Sequence, residues 1–440
     1  MPKTIRSYRP EIQLIVGGQN ITNHLGDGGS VRVTKSLYAP TGEFQVVFPD
    51  RPTYYRDSLY GQISVMSTIE IKIRRWHDGS PVVGPWVHVL RGFVRSVGRD
   101  EQVDREGRVQ RQVVLAGHDC GAALIMQQIH AYISWQNTGL PYPAPLIFLR
   151  EFGLNSKPYP AATFIWLVAK MASEDILAAR KHASDPAAFA LIPKLSVKKG
   201  FVWPHTAMSD VNAVWELLKK YSDAPWNELF IREGLDGPEL VFRPTPWFDI
   251  DDNPLPDVEA GTVEGTRVHI SDIMSLTAHR DDAELVNHAW VKAPWATASA
   301  NVQPLRAGRG LLNEETRATF GDRIQILPTN LGPDKYPINL PMKKQKESYD
   351  AWGDWIMNRL DWLVKAGEDI HRFERGRVTM KGRPEIRVGD YLEVERPAFL
   401  WSGYVTAISH EFVPFQVYRT TVEYIRGNQW VAPSGPESVG

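Results

Sequence analysis

The stretch RVTMKGRPEIRVGDYLEVERPAFLWSGYVTAISHEFVPFQVYRTTVEYIR, Arg377–Arg426, decides the fold class. Val378 and Met380, Ile386 and Val388, and Leu392 and Val394 each sit two residues apart. Tyr404, Ile408 and Phe412 keep the same phase, as do Tyr418, Val422 and Tyr424 beyond Pro414. Period-two alternation places one set of side chains on one face of a pleated sheet. Gly382–Pro384, Gly389–Asp390, Pro397 and Ser402–Gly403 punctuate the run as turns. The spacing therefore predicts four short antiparallel strands, each with one buried face.

The segment has an echo near the start of the chain. Gly92-Phe93-Val94-Arg95-Ser96-Val97 repeats the order of Gly403-Tyr404-Val405-Thr406-Ala407-Ile408. Both hexapeptides run glycine, aromatic, valine, two small or polar residues, then a β-branched aliphatic. Both lie between strand-like runs, Ile69–Arg74 and Val109–Leu115 in one case, Ile386–Val394 and Val417–Ile425 in the other. Two related β-units are the expectation.

Working outward, the first unit begins with Ile12, Leu14 and Val16 on one face and turns at Gly26–Gly29. Val31–Thr34, then Phe44, Val46 and Phe48, then Ile69, Ile71 and Ile73 continue it, and Trp86–Val97 and Val109–Leu115 complete it. Regular short strands of this kind predict a barrel or sandwich, because closure removes exposed edges. After Gly117 the period changes. Ala122–Trp135 reads as a helix, Phe164, Leu167, Val168 and Met171 as a second, and Ser173-Glu174-Asp175 as the cap of a third. A further helix carries Val211, Val214, Trp215 and Leu218, with Ser209 or Asp210 as its cap. Leu229–Arg232 and Leu240–Arg243 pair as a hairpin through Gly234–Pro238. Lys346–Lys365 is the clearest helix, with Tyr349, Trp352, Ile356, Leu360 and Leu363 at steps of three and four.

Composition bounds the rest. A chain of 440 residues is too long for one core. Hydrophobic residues at 43% and charged residues at 23% are ordinary for a globular protein, while 15 Trp and 32 Pro favour loop-rich β structure. The net charge of −1 lacks the basic excess by which proteins grip nucleic-acid phosphates. One cysteine, Cys120, excludes an intrachain disulfide. Lys3, Arg6 and Arg9 are followed by no apolar core of a signal peptide, and the most apolar run, Ala161–Ala172, is too short to span a bilayer. The expectation is a soluble chain.

Several blocks resemble the phage tail baseplate hub family, which includes late-control protein D and the hub part of type VI secretion spikes. They are Trp226–Ile231, Asp236–Pro246, Arg280-Asp281-Asp282, Val286–Val291, and Gly403-Tyr404-Val405 with His410. The resemblance covers both ends and the middle, about half the chain, and its motifs are structural. It implies an α+β, β-rich multidomain protein with two similar antiparallel β-barrel (tube) domains and helical insertions. On that pattern, residues 1–118 form the first tube domain and 119–262 a helix-rich domain. Residues 263–300 and 372–428 form the second, discontinuous tube domain, interrupted by an insertion at 301–371 with the long helix. Residues 429–440 are a flexible tail. The second domain takes strand edge from Arg280–Val291, because four strands alone leave two edges unpaired.

The resemblance also implies a homotrimeric ring joining a hexameric tail tube to a trimeric central spike. Partners would be the tube, spike, tape-measure and other baseplate proteins, with DNA passing through unheld. The spike would be a separate protein, and the location a virion assembled from protein made in the host cytoplasm. Regions 140–205 and 296–345 match nothing in the family pattern.

No catalytic motif emerges. His410-Glu411 begins like a zinc-protease HExxH, but Pro414 stands at the fifth position and the segment is a strand. Asp249, Asp251, Asp252 and Asn253 open like a calcium loop, yet Pro254 and Ala260 fall where glycine and the last ligand belong. His118-Asp119-Cys120-Gly121 reads as a cysteine packed where barrel meets helix, with Asp119 as cap, rather than as an activated thiol. The helix Lys346–Lys365 reads as a packing face rather than a partner-binding one. No catalytic, cofactor or metal residue is therefore assigned, and the expected role is structural rather than enzymatic. Two other classes compete. A tail-tip peptidoglycan hydrolase would need a carboxylate pair or metal site within 119–260, and a carbohydrate-binding β protein is suggested only by the tryptophan count.

Overall fold

The computed structural model describes residues 8–50, 58–77, 84–103, 107, 109–127, 158–174, 186–202, 213–246, 265–283, 285–292, 311–334, 342–368, 370–395 and 400–426. The first β-unit contains β1 (Tyr8–Val16), β2 (Gln19–Asn20), β3 (Ser30–Ser36), β4 (Glu43–Pro49), α1 (Leu59–Gln62), β5 (Thr68–His77), β6 (Val87–Val103) and β7 (Val109–Asp119). A middle layer follows: α2 (Ala122–Met126), β8 (Tyr159–Pro160), α3 (Ala161–Glu174), β9 (Ile192–Leu195), β10 (Phe201–Val202), α4 (Val214–Ser222), β11 (Asn227–Glu233) and β12 (Pro238–Pro244). Next come β13 (Gly265–His269), β14 (Ile273–His279), β15 (His288–Lys292), β16 (Leu311–Leu312), α5 (Glu314–Phe320), β17 (Ile324–Pro328) and α6 (Met342–Glu368). The chain returns to sheet in β18 (Glu374–Lys381), β19 (Tyr391–Glu395), β20 (Leu400–Val413) and β21 (Val417–Arg426).

The protein is β-rich α+β, and its strands from both ends of the sequence form one 13-stranded sheet. The path runs β14-β18-β21-β20-β3-β4-β7-β6-β5-β1-β2, with β19 on β20 and β13 on β19. Two β-units are thus fused edge to edge. The pairing among the described residues branches at β20, which carries β21, β19 and β3, and it does not by itself close either unit into a barrel. The second half of β20 pairs with β3 of the first unit.

The units repeat in register. Phe93 on β6 faces Thr68 on one side and His118 on the other, and Tyr404 on β20 faces Tyr391 and Ile425 in the same way. Two residues further on, both strands break register, between Val94 and Ser96 and between Val405 and Ala407. Arg95 and Thr406 are the extra residues of two equivalent β-bulges. Beyond the bulge, Val97 faces Leu115, Leu115 faces Val46, and Val46 faces Val31. Correspondingly, Ile408 faces Val422, Val422 faces Val378, and Val378 faces Leu276. Only the outer strand departs, since β1 is antiparallel to β5 whereas β13 is parallel to β19.

Each unit has its own core. Leu14, Val33, Val46, Ile71, Val94 and Leu115 are buried together in the first; Val378, Met380, Leu392, Val394, Val405 and Val422 in the second. Full burial of such side chains contributes about 1.5–3 kcal/mol each. Every alternating residue that the terminal stretch marked as inward, from Val378 to Tyr424, is buried.

Three local expectations change. Ile386 and Val388 are buried but lie in the turn between β18 and β19. Ser402–Gly403 sits inside β20, not at a turn. Gly92 shows what this glycine does: a Cβ there would stand 2.0 Å from the His118 carbonyl oxygen, so it permits close backbone approach at the bulge. Arg280–Val291 does not extend the second unit, because β15 pairs with β16 and β17 in a separate sheet. Its apolar side chains Ala289 and Val291 are buried with Trp352, Ile356 and Leu360 of α6, which fixes them away from the main sheet. The strands that reach β18 and β19 instead come from β14 and β13.

The middle layer covers one side of the joined units. In α4, Val214, Trp215, Leu218 and Tyr221 share one face, Glu216 stands in the first turn and Lys219 and Lys220 in the last, matching the helix dipole. The helix ends at Asp223, whose φ of 61° is tolerated because its buried carboxylate accepts from Thr329 Oγ1 at 3.0 Å and the Asn330 amide at 2.8 Å. Helix α2 stops at Met126, and the rest of the helix expected to Trp135 lies outside the described residues. Ser173 and Glu174, expected to cap a third helix, are instead the last residues of α3, and Asp175 lies outside the described residues, as do Ser209 and Asp210. The hairpin forms as β11 and β12, extended by β9 in parallel.

Candidate functional site

The feature that distinguishes this chain is the joint where its two β-units meet. Ala407 of β20 faces Ser36 of β3, and the pairing runs antiparallel to Phe412 opposite Val31. Phe412 and Tyr418, from the second unit, are buried in the core of the first. One continuous sheet, with Phe412 and Tyr418 set into the core of the first unit, thus fixes the two units to each other.

An ion-pair network crosses the joint. Arg75 of β5 donates to Glu385 at 2.7 Å, Arg383 donates to the same carboxylate at 3.2 Å, and Arg383 also holds Asp272. Charge on Arg383 and Lys381 holds the Asp272 carboxyl below its usual range against the opposing effect of burial. Within the first unit, Lys35 of β3, the strand at the joint, pairs with Asp119 at the end of β7.

The β11–β12 hairpin ties the middle layer to both units. Glu233 accepts from the Arg91 amide at 2.7 Å and its guanidinium at 2.8 Å, next to the first bulge. Arg232 donates to Asp390 at 2.6 Å in the second unit. Glu228 accepts from Arg243 and from the Tyr404 hydroxyl at 2.7 Å, and Arg243 donates to Tyr404 Oη at 3.0 Å. Burial pushes the Glu228 carboxyl above its ordinary range, while the Arg243 guanidinium pulls the other way. A satisfied buried network of this kind fixes relative orientation.

An open cleft of about 900 Å³ lies beside the joint, lined by Arg75, Met274, Lys381, Phe412, Phe415 and Tyr418 among others. Phe415, at the tip of the β20–β21 hairpin, is 93% exposed. Among the described residues no three His, Cys, Asp or Glu side chains are grouped to hold a metal, and no helix is long and apolar enough to cross a membrane.

The residues weighed from the sequence scatter across this framework. His410 lies on β20, buried, with Nδ1 3.1 Å from Thr420 Oγ1 and 3.3 Å from the Tyr418 hydroxyl. Glu411 pairs instead with Arg419 on β21. Cys120 is buried where the first unit meets α2, its Sγ 3.4 Å from the Arg91 carbonyl. Asp119 does not cap α2; it accepts from the Gly42 and Gly121 amides and holds Lys35. Asp249, Asp251, Asp252 and Asn253 lie outside the described residues. Helix α6 spans more than the expected Lys346–Lys365 and packs Trp352, Ile356 and Leu360 inward. The sequence reading missed the Glu228–Arg243–Tyr404 network. Its signal was present, since pairing Leu229–Arg232 with Leu240–Arg243 sets Glu228 opposite Arg243.

Two register-matched β-units joined through one sheet and strapped by a helical layer define the chain as a duplicated β-sheet protein. Its fold is similar to that of solved phage tail proteins. The tail protein from Neisseria meningitidis MC58 aligns with a TM-score of 0.50 at 11% identity, covering 95% of this chain and 96% of that one. The 43 kDa tail protein of prophage MuSo2 from Shewanella oneidensis aligns with a TM-score of 0.50 at 12% identity, covering 95% and 97%. At that identity the likeness is one of fold. No family model matches the sequence, and no curated protein matches it.

Proposed function

We propose that this chain is the structural hub of a phage-type tail baseplate. Three copies form a ring that links a hexameric tail tube to a trimeric central spike and leaves a passage for DNA and tape-measure protein. The observation that carries this reading is the register-matched repeat: two equivalent units per chain, joined edge to edge, turn three chains into six equivalent positions. The resemblance of Trp226–Ile231 and Gly403-Tyr404-Val405 to hub proteins, and the fold shared with two tail proteins, support it. The net charge of −1 suits a wall past which DNA slides without being held. The role is structural rather than enzymatic, in the virion, with tube, spike and other baseplate proteins as partners.

Light scattering on the purified chain at micromolar concentration, with electron microscopy of the same sample or of intact particles, tests it. A threefold ring is expected. A monomeric or dimeric stoichiometry in intact particles overturns the reading, and robust turnover of cell-wall substrate overturns its non-enzymatic part.

A further inference from the structure

Each unit offers two sheet edges for joining, and the chain uses only one pair of them internally. In that internal joint, residues 407–412 of β20 carry residues 31–36 of β3. The register correspondence carries β20 onto β6 through the shared bulge, so residues 407–412 correspond to Ser96–Glu101. It carries β3 onto β14 through the chain of facing residues, so Val31 corresponds to Leu276 and Val33 to Ala278. Among the described residues, β6 beyond its bulge pairs only with β7, and β14 is the last strand of the path.

Exposure records the missing neighbour. Val31 and Val33 are 2% and 3% exposed, whereas Leu276 is half-buried and Ala278 exposed. Ile408, His410 and Phe412 are buried, whereas Val97 and Arg99 are half-buried and Glu101 exposed. The same two strand segments are buried in one half of the chain and only partly covered in the other.

We infer that the β6 edge of one copy pairs antiparallel with the β14 edge of a second copy, repeating the internal joint. The repeat fixes the register: Ser96 opposite Asp281, Asp100 opposite Thr277, and Glu101 opposite Leu276. The inference rests on the ring reading above and adds to it the edges and their register. Because the two edges differ, the contact is heterologous. It passes head to tail from copy to copy and closes as a ring, instead of ending at a two-fold dimer. Main-chain hydrogen bonds supply the attraction, and the side-chain period of two makes the register specific.

The test uses the full-length chain carrying Asp100→Cys and Thr277→Cys, oxidised mildly and resolved without reductant. Directly opposed strand positions bring Cβ atoms close enough for a disulfide, and a slip by one residue points them to opposite faces. Covalent multimers up to the ring mass are expected, at least about tenfold above the slipped control Asp100→Cys with Ala278→Cys. In the unmodified protein, amide exchange at 96–101 and 275–281 is expected to slow on assembly, which keeps the inference testable if the variants fold poorly. A threefold oligomer with no excess over the slipped control, or without that protection, overturns the edge assignment and leaves the ring reading standing. A chain that stays monomeric in solution and in particles overturns both, and cross-linking that stops at a dimer overturns ring closure through these edges.

Discussion

The Tyr404 hydroxyl donates to the Glu228 carboxylate at 2.7 Å, with both groups shut away from solvent. The bond joins the bulged strand of the second unit to the hairpin of the middle layer. Removing the hydroxyl leaves a buried carboxylate with Arg243 but one donor fewer, and a half-satisfied buried charge is costly. Tyr404→Phe is expected to destabilise by about 1–3 kcal/mol. Tyr404→Ala, which also opens a cavity, should cost about 3–5 kcal/mol. Denaturant midpoints of the two variants against the parent check the ordering. A Phe variant as stable as the parent would show the network to be idle.

Acid should loosen the same unit through His410. Burial holds its imidazole down to about 3, from an ordinary 6.5. An unfolded chain takes the proton near 6.5 and the folded chain only near 3, so the unfolded state binds more protons across that window. Stability from this group is therefore complete above 6.5 and falls as pH drops, by up to about 1.4 kcal/mol per unit. Stability measured between pH 6.5 and 5 should decline less steeply in His410→Gln than in the parent. Equal slopes would mean that the buried imidazole titrates freely.

How much of this was legible in the sequence differs by scale. The alternation from Val378 to Tyr424 named buried residues correctly, because a period of two survives wherever one face is covered. It misplaced Ser402–Gly403 as a turn, because glycine marks close backbone approach as readily as a turn. The hexapeptide echo was visible as letters, but not that Arg95 and Thr406 are bulge residues, since a bulge is a property of the partner strand. The Glu228–Arg243 pair was implicit in the hairpin, whereas Tyr404 reaches it from a distant part of the chain. His288–Lys292 carried strand patterning without any sign that its apolar face belonged to α6.

The bulge itself can be tested by two glycines on one strand. A Cβ at Gly92 would meet the His118 carbonyl oxygen at 2.0 Å and the Asp119 Cα at 2.7 Å, both backbone atoms that cannot rotate away. A Cβ at Gly98 would meet nothing closer than the Val114 carbonyl oxygen at 3.8 Å. Gly92→Ala is expected to destabilise by about 1–3 kcal/mol or more through forced strand separation. Gly98→Ala should lie within about 1 kcal/mol of the parent, since it removes only the freedom of glycine in a strand. Thermal midpoints decide, and comparable losses in the two variants would place the constraint elsewhere.

Helix α6 and the β-units should respond separately to damage. The Trp352 ring is fully buried against Gly332, where a Cβ would fall 1.5 Å from it, and it packs with Ile356, Leu360, Ala289 and Val291. None of these residues belongs to the cores of the two β-units. Trp352→Ala is therefore expected to cost about 3–5 kcal/mol by cavity formation. The loss should appear as faster amide exchange in 286–292 and 342–364, with β6 and β20 still protected, because sites without shared contacts perturb each other little. Removing 308–370 outright is a harsher change. It takes away Leu331, which is buried in the middle layer, and Thr329, which bonds Asp223, so that layer should loosen even where the sheet persists. Loss of protection in β20 on the single substitution Trp352→Ala would show instead that the helix and the joined sheet unfold as one unit.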